Sequence, residues 1–286
     1  MKGSILACFT FFSLVLPLLR AGNAAPPSSP NKSQYNLFHP TPRDLLRDLA
    51  PDRPDTTESP VTVDAGHFQI ETSFFDYSRD KSDGTRTEVF TYSSLNLKVG
   101  LTNSMDAQLL FDAYTIEESK DRETDQTEKP GSFSDITFRL KVNVWGNDGG
   151  KTAFAIFPFV EIPTGTKLSS DRVEGGLILP FSMGINDRLD FGAMLETDAV
   201  YNPDTDTYEL AVVHTAVLGV AIADPVHLYL EYVGSAGTGE QRYQATFSGG
   251  LTFPVTPDLQ LDAGVRLGLN DAAEDFGCFT GMTMRF

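Results

Sequence analysis

The stretch Asp135-Ile136-Thr137-Phe138-Arg139-Leu140-Lys141-Val142-Asn143-Val144 carries an apolar side chain at every even number and a polar one at every odd number. Successive side chains of a strand point to opposite faces, so the segment reads as a strand between two differently solvated sides. The same period of two returns in Leu189, Phe191, Ala193 and Leu195 against Asp190, Glu196 and Asp198. It appears again in Tyr243, Ala245, Phe247, Leu251 and Phe253 against Arg242, Gln244, Thr246 and Ser248. A fourth run sets Leu259, Leu261, Ala263, Val265 and Leu267 against Gln260, Asp262 and Arg266. No segment of helical period competes with these.

Alternation alone also fits a soluble sandwich, so strand and connection lengths arbitrate. Twelve strands are predicted, beginning near residues 66, 87, 105, 132, 151, 172, 188, 207, 225, 241, 258 and 276. Most run about 10 to 14 residues, which suits the ~9 to 11 of a tilted membrane strand better than the ~6 usual in soluble sheets.

Connections after the even strands are tight: Leu101 to Ser104, Gly146 to Gly150, Asn186-Asp187, Ala223 to Pro225 and Val255 to Asp258. Those after the odd strands are longer and more polar: Arg79 to Arg86, Glu117 to Gly131, Gly165 to Asp171, Asn202 to Thr207, Gly234 to Glu240 and Asn270 to Asp275. Long loops at one end and short turns at the other are the pattern of an outer-membrane barrel. The fold class expected is therefore all-β: an antiparallel transmembrane β-barrel over residues 64–286. An even strand count returns the C-terminus to the side of the N-terminal segment, which would be the periplasm.

Ahead of the barrel the chain changes character twice. Lys2, the apolar run Ile5 to Leu19 and the small residues Gly22-Asn23-Ala24 read as a signal peptide over 1–24, with an uncleaved anchor as the alternative because Arg20 sits late. Residues 25–63 hold eight prolines, from Pro26 to Pro60, and read as an irregular periplasmic leader. Within it, Arg43 to Leu49 is either a short amphipathic turn or plain linker.

Asp52-Arg53-Pro54-Asp55-Thr56-Thr57-Glu58-Ser59-Pro60 and the following Val63-Asp64-Ala65-Gly66-His67-Phe68-Gln69-Ile70-Glu71 resemble the opening of the outer-membrane "MetA-pathway of phenol degradation" family, described as transporters. Pro158 to Gly165 and Glu174 to Pro180 are similar to further pieces of it, giving a resemblance over about residues 50 to 286. The resemblance implies a barrel concerned with the passage of hydrophobic or aromatic small molecules. It brings no catalytic set and no cofactor. The motif Asp52, Arg53, Pro54, Asp55 and Glu58 would sit at the periplasmic mouth, as a plug or latch or equally as a cap on the first strand.

The polar members of the alternation would face the lumen: Asp135, Arg139, Lys141, Glu174, Asp190, Glu196, Asp198, Glu231, Arg242, Asp262, Arg266 and Arg285. A Lys or Arg turned to lipid would cost roughly 2 to 4 kcal/mol at the midplane. Their mixture of signs suits cross-lumen ion pairs or, alternatively, a selectivity element. Twelve strands enclose more room than eight, so a channel or ligand cavity is geometrically allowed.

Other features weigh less. His67, His214 and His227 have no metal spacing, and Cys278 is the sole cysteine after the signal. The acidic run Glu117, Glu118, Asp121, Glu123, Asp125 and Glu128 reads as a solvated loop. A net charge of −17 disfavours nucleic acid as a partner. An outer-membrane enzyme lacks support, with no Gly-x-Ser-x-Gly elbow, and a structural or adhesive barrel with a filled lumen remains as an alternative. The final alternation, Cys278, Thr280, Met282, Met284 and Phe286 against Phe279, Gly281, Thr283 and Arg285, places Phe286 at a lipid-facing rim beside His67. It resembles the C-terminal signal read by the barrel-insertion machinery, with outer-membrane lipid as the other expected partner.

Overall fold

The computed structural model describes residues 31–82, 84–121, 126–170, 172–239 and 242–286; the expected signal peptide lies outside them. Twelve long strands follow one another: β1 (Phe68–Ser82), β2 (Thr85–Thr102), β3 (Met105–Asp121), β4 (Ile136–Trp145), β5 (Thr152–Ile162) and β6 (Glu174–Asn186). The second half is β7 (Leu189–Asn202), β8 (Thr207–Ala223), β9 (Val226–Gly237), β10 (Gln244–Thr256), β11 (Leu259–Gly268) and β12 (Phe276–Arg285). Each pairs antiparallel with the next, and β12 pairs with β1 from Gln69↔Arg285 to Arg79↔Phe276. The sheet is thereby closed, and among the described residues none of the twelve strands is left with an unpaired edge.

The two faces are inverted relative to a soluble protein. Phe138, Val144, Leu230, Leu251 and Leu261 are exposed on the outside, whereas Glu71, Lys98, Asp106, Lys141 and Glu231 are almost wholly buried inside. Such a distribution is stable only if the outer face meets hydrocarbon rather than water.

The connections after even strands are short, as expected, and share one end of the barrel with both described chain ends. The opposite, loop end differs in three places from the sequence reading, one being Gly234 to Gly237, which continue β9 in pairing with β8. The segment Arg79 to Arg86 is not a loop: the ladder runs on from Arg79↔Glu88 to Ser82↔Thr85. Likewise Glu117, Glu118 and Asp121 belong to β3, paired with β2 as far as Thr85↔Asp121. The cause is cross-strand polar pairing beyond the apolar band: the Tyr77 hydroxyl of β1 donates to Glu88 of β2, and the Thr87 and Ser119 hydroxyls are 3.3 Å apart. Thr127–Glu128 and Gly131–Ser132 then fold back on β3 as two-residue ladders.

The C-terminus lies beside the start of β1. Phe286 is half exposed, its N–H donates to the Phe68 carbonyl at 2.8 Å, and its own carbonyl oxygen lies 2.9 Å from His67 Nδ1.

Candidate functional site

Residues 31–67 do not hang below the barrel; they enter it. At the turn end, Lys32 Nζ lies 3.2 Å from both Asp64 and Asp148. The chain makes one turn of 3-10 helix at Arg43–Leu45, so of the two readings of 43–49 only a single helical turn forms. Arg47 then ties the segment down, donating to Asp148 at 3.1 Å and to the Thr62 carbonyl at 3.2 Å. On the return, the Val63 N–H donates to Asp106 at 2.9 Å and the Gly66 N–H to the Gly100 carbonyl at 2.8 Å. Position 100 must be glycine, because a Cβ there would stand 2.0 Å from the Asp64 carbonyl oxygen.

Between these anchors, Asp52 to Pro60 crosses the lumen. Asp52 accepts from Lys141 Nζ at 2.7 Å and forms a second ion pair with Lys98, which also pairs with Glu71. Burial raises the Asp52 carboxyl, but Lys141 and Lys98 outweigh it and hold the group well below the usual carboxylate range. Arg53 donates through Nε and Nη2 to Asp262 at 3.1 and 2.7 Å, and through Nη1 to the Ser73 hydroxyl at 2.6 Å. The N–H groups of Thr56 and Thr57 both donate to Glu231, at 3.0 and 2.8 Å. Glu58 accepts from Arg139 at 2.5 Å. Buried pairs of this kind add little net stability, yet leaving one partner alone costs about 3–5 kcal/mol, so they specify a single seat for the leader.

The residues expected on the lumen face separate into groups. Arg139, Lys141, Glu231 and Asp262 grip the leader as described. Arg285 joins it at the turn end, donating to Asp258 at 2.8 Å and to the Arg47 carbonyl at 2.7 Å. Arg266 stands nearer the loop end between Asp76, at 2.6 Å, and Glu274, at 2.7 Å. Asp135 holds a loop, accepting from the N–H groups of Thr164 and Ser170, each at 2.8 Å. Glu174 accepts from the Tyr201 N–H at 2.9 Å. Glu196 and Asp198 follow each other along the same face of β7, and Asp190 stands lower on that strand among the residues around the turn-end cavity. Arg242 is the exception. It lies in the connection before β10, exposed, donating to the Asp271 carbonyl at 3.4 Å. Alternation misplaced it because β10 begins only at Gln244.

Lys98, Glu71 and Asp106 were missed, although Ser94, Asn96 and Lys98 alternate with Leu95, Leu97 and Val99 just as β4 does. The motif residues Asp52, Arg53 and Glu58 carried a recognisable pattern, but nothing in sequence spacing pairs them with side chains up to 209 residues away.

The leader does not fill the lumen. On its loop-end side is a cavity of about 540 Å³ bounded by Asn96, Asp112, Asp135, Glu161 and the Arg139 side chain. On its turn-end side is another of about 680 Å³, bounded by Asp55, Asp190, Val217, His227 and Tyr229. The apolar part of the inner wall comprises Val217, Tyr229 and Phe279 on one side and Ala155, Phe157, Ile178 and Met194 on the other. Among the described residues no three His, Cys, Asp or Glu side chains are grouped to hold a metal ion.

Among solved structures the chain is similar to the COG4313 outer membrane channel from Pseudomonas putida F1, with a TM-score of 0.58 and 14% identity over 82% of this chain and 99% of that one. At this identity the likeness concerns the fold. The NanC porin (TM-score 0.48, 9% identity, 76% and 98% covered) and the KdgM porin (0.46, 10%, 74% and 98%) share the barrel more loosely, and no argument rests on them. No curated protein matches by sequence. Residues 51–286, which comprise the lumen-crossing motif and all twelve strands, match the family described as "Putative MetA-pathway of phenol degradation", and the chain belongs to that family.

Proposed function

We propose that this protein is an outer-membrane channel for small, weakly polar or aromatic molecules, with its turn end and leader in the periplasm. The observation that carries the reading is the pair of lumen cavities, of about 540 and 680 Å³, on either side of a leader that crosses but does not fill the barrel. Each is within the ~300–1,000 Å³ range of small-molecule sites. The apolar wall of Val217, Tyr229 and Phe279 suits a planar ring, while the charged residues around it are largely engaged with one another. Membership of a family named for phenol degradation supports the substrate class, and the channel fold supports the reaction, which is passage rather than chemistry.

The tight seat of Asp52 between two lysines favours a second reading, a closed barrel with a structural role. Planar-bilayer recording and proteoliposome uptake of phenol separate the two. The channel reading expects discrete conductance steps and uptake above empty liposomes. A silent bilayer, no uptake, and normal growth of a deletion strain on aromatic compounds would leave the structural reading.

A further inference from the structure

We propose that Arg53 is the residue that closes the solute path, and that the path opens when its guanidinium leaves Asp262; this rests on the channel reading above. Arg53 borders both cavities, and the charged part of its side chain therefore stands in the wall between them. The closed position is well defined. Two donors meet the Asp262 carboxylate, at 2.7 and 3.1 Å, a third meets the Ser73 hydroxyl at 2.6 Å, and the guanidinium lies 5.9 Å from the Phe279 ring. A fork with this geometry holds direction as well as charge. The room for it is provided by Gly281 on β12, where a Cβ would stand 2.3 Å from Arg53 Nη2.

The side chain can move without unseating the leader. Asp52 is held by Lys98 and Lys141, and Thr56 and Thr57 by Glu231, so the backbone on both sides of Arg53 has its own anchors. Acidic side chains stand in each cavity to receive the departing charge: Asp55 and Asp190 towards the turn end, Asp112 towards the loop end. An arginine that exchanges one carboxylate for another avoids the penalty of a buried, unpaired cation. Its departure removes one of the two guanidinium groups over Phe279, leaving Arg266 at 5.3 Å, so an uncharged aromatic solute next to Val217 and Tyr229 replaces a cation–π contact with a ring contact of comparable strength.

The test is single-channel recording and proteoliposome uptake of phenol with the full chain carrying Arg53→Ala, Asp262→Asn or Gly281→Ala. Heat-modifiable migration in gels verifies the barrel in each. Gly281→Ala leaves both charged partners in place and denies the guanidinium its seat, but its Cβ would also stand 2.2 Å from the Thr72 carbonyl oxygen of β1, so it counts only if its barrel migrates as wild type. The expected result is severalfold higher conductance and faster uptake for R53A, and more frequent openings for D262N and G281A. If the folded variants match wild type while removal of residues 31–63 raises conductance, the gate assignment falls and the channel reading stands. If the leader-deleted barrel is silent as well, the channel reading falls and takes the gate with it.

Discussion

Asp52 Oδ1 lies 2.7 Å from Lys141 Nζ, joining a residue of the leader to one on the inner face of β4, 89 positions later in the chain. This contact draws the leader into the lumen rather than beneath it. Lys141 is buried next to Phe157, with its ammonium 4.4 Å from the ring, and among the described residues Asp52 is the carboxylate in direct ion-pair contact with it. The leader thus completes the barrel interior electrostatically as well as sterically.

Lys141→Ala should therefore loosen the leader at a cost of about 3–5 kcal/mol, since Asp52 keeps only Lys98. Trypsin applied to membrane-embedded protein should cut after Arg47, whose side chain is buried in the seated leader, in the variant and not in wild type. In the double variant D52N/K141M the loss should be smaller than in K141A, because no buried charge is left alone. Equal protease resistance in K141A and wild type would show that the pair does not seat the leader.

Leader seating should also depend on pH. Burial and then the charge of Asp52 push the Glu58 carboxyl up to about 8, against the pull of Arg139, Lys141 and Lys98. A group whose folded value is raised contributes stability that is full below its ordinary range and is lost as pH rises through about 8. Raising pH from about 5 to about 8 should increase protease access to the leader, with little further change above that, and Glu58→Gln should abolish that step. A pH response unchanged in E58Q would assign the effect to another group.

Removal of Phe286 should impair membrane insertion while leaving export intact. Its N–H bond to the Phe68 carbonyl, 2.8 Å, and the contact with His67 close the last strand on the first. The expected readout is processed protein in the periplasm without the heat-modifiable form. A normal heat-modifiable barrel would remove Phe286 from that role.

The two faces should respond oppositely to charge. Leu230, in the middle of β9, faces outward, and Leu230→Arg should cost roughly 2–4 kcal/mol of barrel stability. Leu230→Phe should be nearly neutral. Urea titration of folded protein in lipid vesicles reads the difference, and an arginine tolerated at 230 would place that residue away from hydrocarbon.

Much of this architecture was legible in the chain. Strand starts at β3, β5, β7, β8, β9, β11 and β12 lie within a residue or so of the predicted positions, because each strand needs one apolar and one polar face and turns mark its ends. Errors came where that signal stops. The polar hairpin of β1 and β2 continues past the apolar band through side-chain pairs, and Arg242 follows the alternation of β10 although the ladder starts after it.

The leader shows the other limit. Over 31–63, where the prolines concentrate, the one helical element among the described residues is the 3-10 turn Arg43–Leu45. Which charges meet is another matter. Arg53 finds Asp262, Glu58 finds Arg139, and Thr57 finds Glu231 only because twelve strands close into a ring and bring distant positions onto one inner surface. The period-two pattern determined the barrel, its faces and its last residue, since those follow from local strand geometry and the partition of side chains between lipid and water. Closure of the sheet decided where the leader lies and which pairs line the lumen, because burial turns loosely specified charges into obligatory partners.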